Sequence, residues 1–382
     1  MNESFLISQN RFGVDISKGA NGAYAQTPLS TTDIDNIIWQ VIQNGKVGDI
    51  WVQEDGYIFY RENNEVLQVS GIDQKELKKD VFPAWLEKLA HNTDIRYATD
   101  TAYTLTRGSL SRRFRVNLYR SLGKLRACLR LVADSIATPD SLRVPRYLVQ
   151  QFSNYNDGLV LVCGATGSGK STTIASMLAT RAAVRREHII TLEDPIEYLF
   201  KDSLAFFSQR EKGSDFADYP EAVKYALRES PDTIFIGEIR DVETAEAALH
   251  AAETGHLVVS TMHTKRATDA LERFLLMFPE SDKGRILSMM SSVMRFVLCQ
   301  RLLPSTDGKR KAIFEPMVTD EASNLLPVIR RGERLAVALR NAMEQTKYTH
   351  NYSFVKDIRA LHIAGEIDSD VAKNALAEFE GE

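Results

Sequence analysis

Residues 159–172 read Leu-Val-Leu-Val-Cys-Gly-Ala-Thr-Gly-Ser-Gly-Lys-Ser-Thr, and this stretch decides the fold. Its first five residues form an apolar run that is typical of a strand buried on both faces, and Ser171–Ala182 predicts a helix. Between them, Gly164–Ser171 fits the phosphate-loop pattern GxxxxGK[ST] in full. Glycines let backbone N–H groups converge on one anionic point, and the helix N-terminus adds partial positive charge. This order of strand, loop and helix predicts a nucleoside triphosphate site.

The loop supplies the candidate ligands of the nucleotide. Lys170 is placed to reach the β- and γ-phosphates, and the Ser171 hydroxyl is a candidate ligand of Mg²⁺. ATP and Mg²⁺ are therefore the predicted substrate and cofactor. The predicted nucleotide-binding residues are Gly164, Ala165, Thr166, Gly167, Ser168, Gly169, Lys170, Ser171 and Thr172.

Acidic residues follow two further apolar runs. Glu193 follows the run 189–192, and Glu238 follows the run 233–236 in the position of a Walker B carboxylate. The carboxyl ends of strands in an open parallel sheet lie beside the phosphate loop. Phosphoryl transfer needs a carboxylate near the metal and a residue that orients water, so both glutamates are candidate catalytic residues and Glu238 is a candidate metal ligand. The alternative for each acid is a helix N-cap, the role predicted for Asp241.

Two histidines flank the apolar run 257–262. His263 follows this run, on the side of the phosphate loop, and is a candidate catalytic residue that contacts the γ-phosphate. His256 precedes the run, about 20 Å away if the strand is straight. A structural role is therefore predicted for His256.

The rest of the chain predicts two domains of different style. Apolar strands alternate with helices over 146–382, which predicts an α/β domain whose C-terminal part is mostly helical and includes one helix over Lys283–Leu302. Residues 29–132 alternate helices with short hairpins and predict a smaller α+β domain. Residues 133–145 contain two prolines and are the predicted linker, whereas residues 1–28 are polar and predicted to be loose.

A basic block stands in the smaller predicted domain. No acid occurs between Asp100 and Asp134, and one explanation of this block is binding of nucleic acid. A second is a solvated sheet edge that discourages aggregation, and a third is a set of arginines that meets the triphosphate of a neighbouring subunit. Composition does not choose among these three. The bases of the block are Arg107, Arg112, Arg113, Arg115, Arg120, Lys124, Arg126 and Arg130.

Composition excludes several classes of protein. The chain has 382 residues with a net charge of −4, so no overall basic excess indicates nucleic acid. Its three cysteines, Cys128, Cys163 and Cys299, are far apart in the sequence and form no CxxC motif, which argues against a disulfide framework or a zinc site. No apolar run approaches the roughly 18 residues of a membrane span, and the N-terminus lacks the pattern of a signal peptide. A cytoplasmic protein is therefore expected.

The motifs together resemble one family, the PilT-like ATPases of pilus, type II and type IV secretion machines. Four signatures are matched in order: the Walker A loop, the acidic box Ile190–Tyr198, the Walker B segment Gly237–Asp241 and the histidine box Gly255–Thr264. Upstream, Arg113-Phe-Arg115-Val-Asn followed by Arg130 looks like the arginine-finger strands of that family. Within the family, the chain looks most like the ATPases of type IVB (Dot/Icm) secretion and conjugation systems.

The resemblance implies a PAS-like N-terminal domain and a RecA-like ATPase core in a homohexameric ring. Such rings act at the cytoplasmic face of an inner-membrane machine, so inner-membrane components are the expected partners and direct sequence-specific binding of nucleic acid is not expected. By matched position, Glu193 is the favoured catalytic carboxylate, and Arg113, Arg115 and Arg130 are candidate catalytic arginines. Two alternatives remain on the same fold: a motor stimulated by nucleic acid, and a switch that binds nucleotide without hydrolysis.

Overall fold

The computed structural model divides into two compact units, Met1–Asp134 and Ser135–Glu382, which are described separately. The predicted loose segment 1–28 lies outside the described residues. Residues 135–145 of the predicted linker belong to the second unit, where Val144 is buried. The described residues are 31–44, 47–54, 56–62, 65–69, 81–90, 98–108, 110–132, 135–345 and 348–380.

The first unit is an antiparallel sheet with two described helices, as the α+β pattern predicts. The strand order is β3-β2-β1-β6-β5-β4. On β5, Phe114, Val116 and Leu118 are fully buried in the core of this unit, whereas Arg115 between them is exposed. The described elements are α1 (Thr31–Asn44), β1 (Val47–Gln53), β2 (Ile58–Glu62), β3 (Glu65–Gln68), α2 (Phe82–Ala90), β4 (Ala98–Arg107), β5 (Leu110–Ser121) and β6 (Lys124–Leu131).

The second unit is built on a seven-stranded sheet in the order β13-β12-β7-β11-β10-β8-β9. Its neighbouring strands are parallel except for the antiparallel pair β12–β13. The strands and their nearest helices are α3 (Arg146–Asn154), β7 (Gly158–Cys163), α4 (Lys170–Ala182), β8 (His188–Glu193), β9 (Phe206–Glu211), α5 (Tyr219–Ala226), β10 (Thr233–Ile236), α6 (Val242–Glu253), β11 (Leu257–Met262) and α7 (Ala267–Leu276). The C-terminal elements are α8 (Lys283–Val293), β12 (Met294–Pro304), β13 (Arg310–Val318), α9 (Leu326–Arg331), α10 (Leu335–Gln345), α11 (Phe354–Ile363) and α12 (Ser369–Glu380).

Helices cover both faces of this sheet. Residues Val160 and Val162 of β7 pack in a cluster with Ile174 of α4, whereas Leu159 and Leu161 belong to the cluster on the other face. All four β7 residues are fully buried, which is why the strand is apolar without alternation. Among the described residues, no helix is both long and apolar enough to span a bilayer.

One predicted helix is partly wrong. The expected helix Lys283–Leu302 ends at Val293, and the chain continues as strand β12, beside β7 and parallel to it. Near the helix end, the Ser292 hydroxyl donates to the carbonyl of Met289 at 2.8 Å, a local bond that competes with helix formation. Residues Phe296–Cys299 are buried on both faces of the sheet, so their sequence shows no alternation that distinguishes a strand from a helix.

Candidate functional site

The phosphate loop connects strand β7 to helix α4. The backbone at Gly164 and Gly169 has φ of 148° and 88°, so both residues have conformations that side chains disfavour. Inside the loop, the Lys170 ammonium donates to the carbonyls of Gly164 at 2.9 Å and Ala165 at 3.1 Å. Ser171 and Thr172 follow in the first turn of α4, where the Thr172 hydroxyl shares a 2.8 Å hydrogen bond with Tyr198.

Glu193 is the last residue of β8, at the same sheet edge as the loop, and its side chain is buried. Its carboxylate accepts from the Thr191 hydroxyl at 2.7 Å and from the Gln209 amide at 3.3 Å. The side chain has few other ways to stabilise a charge, because the residue is only 7% exposed. Burial therefore raises the pKa of Glu193 to about 7 despite these hydrogen bonds. A carboxyl with this pKa exchanges its proton near neutral pH, as a general base must.

Glu238 lies on the neighbouring strand end. Ile236 of β10 pairs with Leu192 of β8, so the residues that follow these strands emerge at the same sheet edge. One Glu238 oxygen lies 2.6 Å from Arg240 Nε and 3.5 Å from His263 Nε2. Burial lowers the pKa of the Lys170 ammonium, and the negative charge of Glu238 partly offsets this effect by raising it. The two glutamates, His263 and Lys170 thus converge on one edge of the sheet.

The two histidines of the histidine box have different environments. His263 follows β11 beside Glu238, and burial together with the Lys170 charge lowers its pKa, which favours the neutral imidazole at pH 7. His256 precedes β11 and its Nδ1 lies 3.1 Å from the carbonyl of Ala251, at the end of helix α6. This contact joins His256 to the end of helix α6, and the structural role of His256 stays a prediction.

Other predicted residues lie elsewhere. Asp241 caps helix α6, because its carboxylate accepts from the backbone N–H of Thr244 at 2.8 Å. The candidate arginines belong to the first unit: Arg113 and Arg115 lie on β5, and Arg115 pairs across the strands with Arg130, which lies 2.7 Å from Asp49. In the described part of the chain, no group of three or more His, Cys, Asp or Glu side chains is arranged to hold a metal ion.

Sequence reasoning missed three polar residues at the site. Gln209, on the unpredicted edge strand β9, donates to Glu193 and fixes that carboxylate. Tyr219 is 7% exposed, and burial together with the charges of Asp194, Glu238 and Glu193 raises the pKa of its hydroxyl. Gln300 contacts the phosphate loop from strand β12. No motif marks these residues: Gln209 and Gln300 reach the site through strand pairing, and Tyr219 lies at the start of helix α5.

Comparison with known proteins identifies the family of this chain. Residues 30–351 match the family described as "Type II/IV secretion system protein". The chain is 36% identical over 244 residues to the "Type IV pilus retractation ATPase PilT" of Pseudomonas aeruginosa, covering 64% of this chain and 66% of that protein. It is 37% identical over 259 residues to the pilus ATPase PilU of the same organism, covering 67% of this chain and 66% of that relative. Both alignments thus span just under two thirds of the relative's length.

Solved structures show the same fold. A crystal structure of the pilus retraction motor PilT with bound ADP matches with a TM-score of 0.76 at 32% identity, over 91% of this chain and 97% of that one. The Legionella pneumophila ATPase DotB matches with a TM-score of 0.79 at 24% identity, over 92% and 97% of the two chains, which supports the fold alone. The predicted fold class, a RecA-like P-loop core with a smaller α+β domain, is confirmed. The match to the family covers residues 30–351, so the chain belongs to the type II/IV secretion system protein family, which includes ATPases of pilus and secretion machines.

Proposed function

We propose that this chain is a motor ATPase whose ATP hydrolysis powers a membrane-embedded transport machine. The observation that carries this proposal is the convergence of Lys170, Glu193, Glu238 and His263 on one sheet edge. A cation inside a phosphate loop binds a triphosphate, and two carboxylates at the same sheet edge supply the groups that hydrolysis needs. A nucleotide switch without turnover has no need of the second carboxylate.

Each residue has a distinct role in this proposal. Glu193 orients the attacking water and accepts its proton as the water oxygen bonds to the γ-phosphorus and ADP leaves. Lys170 neutralises charge on the β- and γ-phosphates, and the neutral His263 imidazole contacts the γ-phosphate. Backbone N–H groups of the loop complete the phosphate site.

Mg²⁺ fits the oxygen ligands at this edge. The Ser171 hydroxyl and the Glu238 carboxylate would hold it, since Mg²⁺ is bound through one or two protein oxygens together with substrate phosphates. The negative charge of Glu238 raises the pKa of Lys170. This effect supports a position of the Glu238 carboxylate near the phosphates that Lys170 would bind. When bound, the ion neutralises charge on the transferring phosphoryl group.

The proposal extends to assembly. A homohexameric ring at the cytoplasmic face of the inner membrane would work with components of a type IV (IVB-like) secretion, conjugation or pilus machine. The similarity to PilT, PilU and a type II secretion protein E supports the general class of machine. Arg113, Arg115 and Arg130 would complete the site of a neighbouring subunit, because the planar guanidinium spreads donors over the transition-state oxygens.

Lys170→Ala tests the proposed function. Removal of the cation is expected to abolish ATP turnover while the fold is kept, because Lys170 is the first residue of helix α4 and its ammonium bonds only to loop carbonyls among the described contacts. Phosphate release is measured for the wild type and the variant, with circular dichroism as the control of folding. Near wild-type turnover in the variant would refute the site assignment. Nucleotide binding by the wild type without turnover would favour a switch.

A further inference from the structure

Strand β12 lies beside β7 and contacts the phosphate loop through Gln300. Cys299 of β12 pairs with Cys163 of β7, so the next residue, Gln300, lies where the chain leaves β7 and enters the loop. Gln300 is only 4% exposed. A buried amide needs hydrogen-bond partners, and its partners show what it holds in place.

Both ends of the Gln300 amide bind the phosphate-loop segment. Its Nε2 donates to the carbonyl of Ser168 at 2.8 Å, and its Oε1 accepts from the Thr173 hydroxyl at 2.6 Å. The orientation of the amide is fixed by chemistry, because a backbone carbonyl accepts and cannot donate. One side chain thus links the loop to the first turn of helix α4.

The bond to Ser168 sets the direction of a backbone donor. In a planar trans peptide, the carbonyl of Ser168 and the N–H of Gly169 point in opposite directions. Since the Ser168 carbonyl points toward Gln300, the Gly169 N–H points away from strand β12. Backbone N–H groups of such a loop are the donors that bind phosphate oxygens.

Two glycines of the loop lie so close to Gln300 that neither position has room for a side chain. A Cβ atom added at Gly164 would lie 2.4 Å from the Gln300 carbonyl oxygen, and one added at Gly169 would lie 2.9 Å from Gln300 Nε2. Close contact with Gln300 thus accompanies positive φ as a reason for glycine at both positions. The loop is shaped against this strand residue.

We propose that Gln300 is a positioning residue that holds the phosphate loop in the conformation that binds nucleotide phosphates. The inference rests on the proposed function of the loop, and deepens it by naming the residue outside the motif on which its geometry depends. Its action is indirect: Gln300 contacts Ser168 and Thr173, and these segments present the donors.

Gln300→Met is the first test, because methionine keeps the length of the side chain and removes both hydrogen bonds. We expect the full-length variant to bind ADP about tenfold or more weakly, the effect of losing one or two buried hydrogen bonds. Binding of adenosine, which carries no phosphate, is expected to stay unchanged. Both affinities are measured by isothermal titration calorimetry. Unchanged ADP affinity, or an equal loss for ADP and adenosine, would overturn the proposal.

Thr319→Val is the matched control for Gln300→Met. The Thr319 hydroxyl is buried and donates to the carbonyl of Met294 at 2.7 Å, at the opposite end of the same strand. This variant is expected to lower the unfolding temperature without weakening ADP binding. A loss of ADP affinity equal to that of Gln300→Met would show a general effect of strand stability and contradict a positioning role.

Thr173 offers an independent pair of variants if Gln300→Met fails to fold. Thr173→Val removes the hydroxyl that donates to Gln300 at nearly constant volume, whereas Thr173→Ser keeps it. We expect severalfold weaker ADP binding for valine and near wild-type binding for serine. Equal affinities for the two variants would count against the proposal. If Lys170→Ala hydrolyses ATP as the wild type does, the proposed function fails; if Lys170→Ala abolishes turnover but the variants at Gln300 and Thr173 bind ADP as the wild type does, the inference about Gln300 alone fails.

Discussion

The Glu193 carboxyl links catalysis to pH. Its pKa is raised to about 7 by burial, so the fraction ionised in the folded protein increases as pH rises through that value. Only the ionised form accepts a proton, so we expect kcat to rise from about pH 6 and to level off above about pH 8. Steady-state ATP hydrolysis across this range measures the profile. A profile that falls with pH would contradict the assignment of Glu193 as the base.

Glu193→Gln separates the charge of this side chain from its shape. Loss of a general base reduces kcat by about 10²–10⁴-fold, and ADP binding is expected to persist because the volume is conserved. Glu238→Gln is expected to lower kcat as well and to weaken the dependence on Mg²⁺. A collapse of ADP binding in Glu193→Gln would mean that the buried carboxyl is structural.

The two histidines form a natural comparison. His263→Ala removes the imidazole that lies 3.5 Å from Glu238 and is expected to reduce ATP turnover severalfold or more. His256→Ala changes a residue at the other end of the same strand and is expected to leave turnover nearly unchanged. Thermal unfolding of both variants shows whether they are folded. Equal losses of turnover in folded proteins would refute the different roles assigned to them.

At the scale of residues, the sequence was informative where a motif encodes the chemistry. The positions of Gly164, Lys170 and Glu238 could be predicted because glycine, cation and acid are needed at fixed spacings. Gln209 and Gln300 could not be predicted, because each meets the site from a strand that the sequence pattern did not identify. An amide becomes informative only after the pairing of its strand is known.

At the scale of elements, a buried ion pair joins the end of helix α4 to the start of strand β8. Arg181 donates two hydrogen bonds of 2.7 Å to Glu187, and both side chains are at most 2% exposed. Arg181 also donates to the carbonyl of Phe152 at 2.6 Å, which joins helix α3 to the same point. Arg181 therefore joins helices α3 and α4 to the start of strand β8.

Arg181→Met tests this junction. The variant leaves the Glu187 carboxylate buried without its main partner, so we expect the free energy of unfolding to fall by about 3–5 kcal/mol. Arg185→Met is the matched control, because Arg185 lies 3.6 Å from the same carboxylate but is 33% exposed, and its loss should cost about 1 kcal/mol or less. Urea unfolding of the full chain measures both. Equal losses would contradict the importance of burial.

The second half of the predicted helix Lys283–Leu302 is strand β12, for a reason that lies in its surroundings in the sheet. Periodicity identifies a strand when one face meets water, but Met294–Pro304 lies between two other strands with most of its apolar residues buried. Pairing with β7 and β13 supplies the hydrogen bonds of its backbone, and this long-range stabilisation overrides local helix propensity. The strands β7, β8, β10 and β11 were predictable because strand ends, turns and motifs mark them.

At the scale of the whole molecule, the proposed ring makes a prediction about mixed subunits. A Lys170→Ala chain keeps its arginines, and an Arg115→Ala chain keeps its phosphate loop. If an arginine of one subunit completes the site of its neighbour, each variant alone is inactive and a mixture recovers part of the activity, since such arginines contribute about 10³–10⁵-fold to the rate. ATP hydrolysis is measured on mixtures whose co-assembly is verified by native mass spectrometry.

Two outcomes decide the proposal about the ring. Absence of recovery in verified mixed assemblies would count against a role of Arg115 in a neighbouring site. Full activity of a monomeric Arg113→Ala/Arg115→Ala/Arg130→Ala variant would refute the need for assembly. Specific activity that rises with protein concentration is the matching expectation for the wild type, because rings form by mass action.

The contact of strand β12 with the phosphate loop has a consequence for co-translational folding. Ser168 and Gln300, which bond to each other, are 132 residues apart in the chain. At a synthesis rate of about 5–20 residues per second, the loop emerges roughly 7 to 26 seconds before its supporting strand. Strand β11 precedes β12 in the chain, so until β11 has emerged the nascent strand β7 has neither neighbour beside it, and its apolar residues are available to chaperones. The phosphate loop is synthesised early in the second unit and is therefore among the last parts of that unit to become able to bind nucleotide.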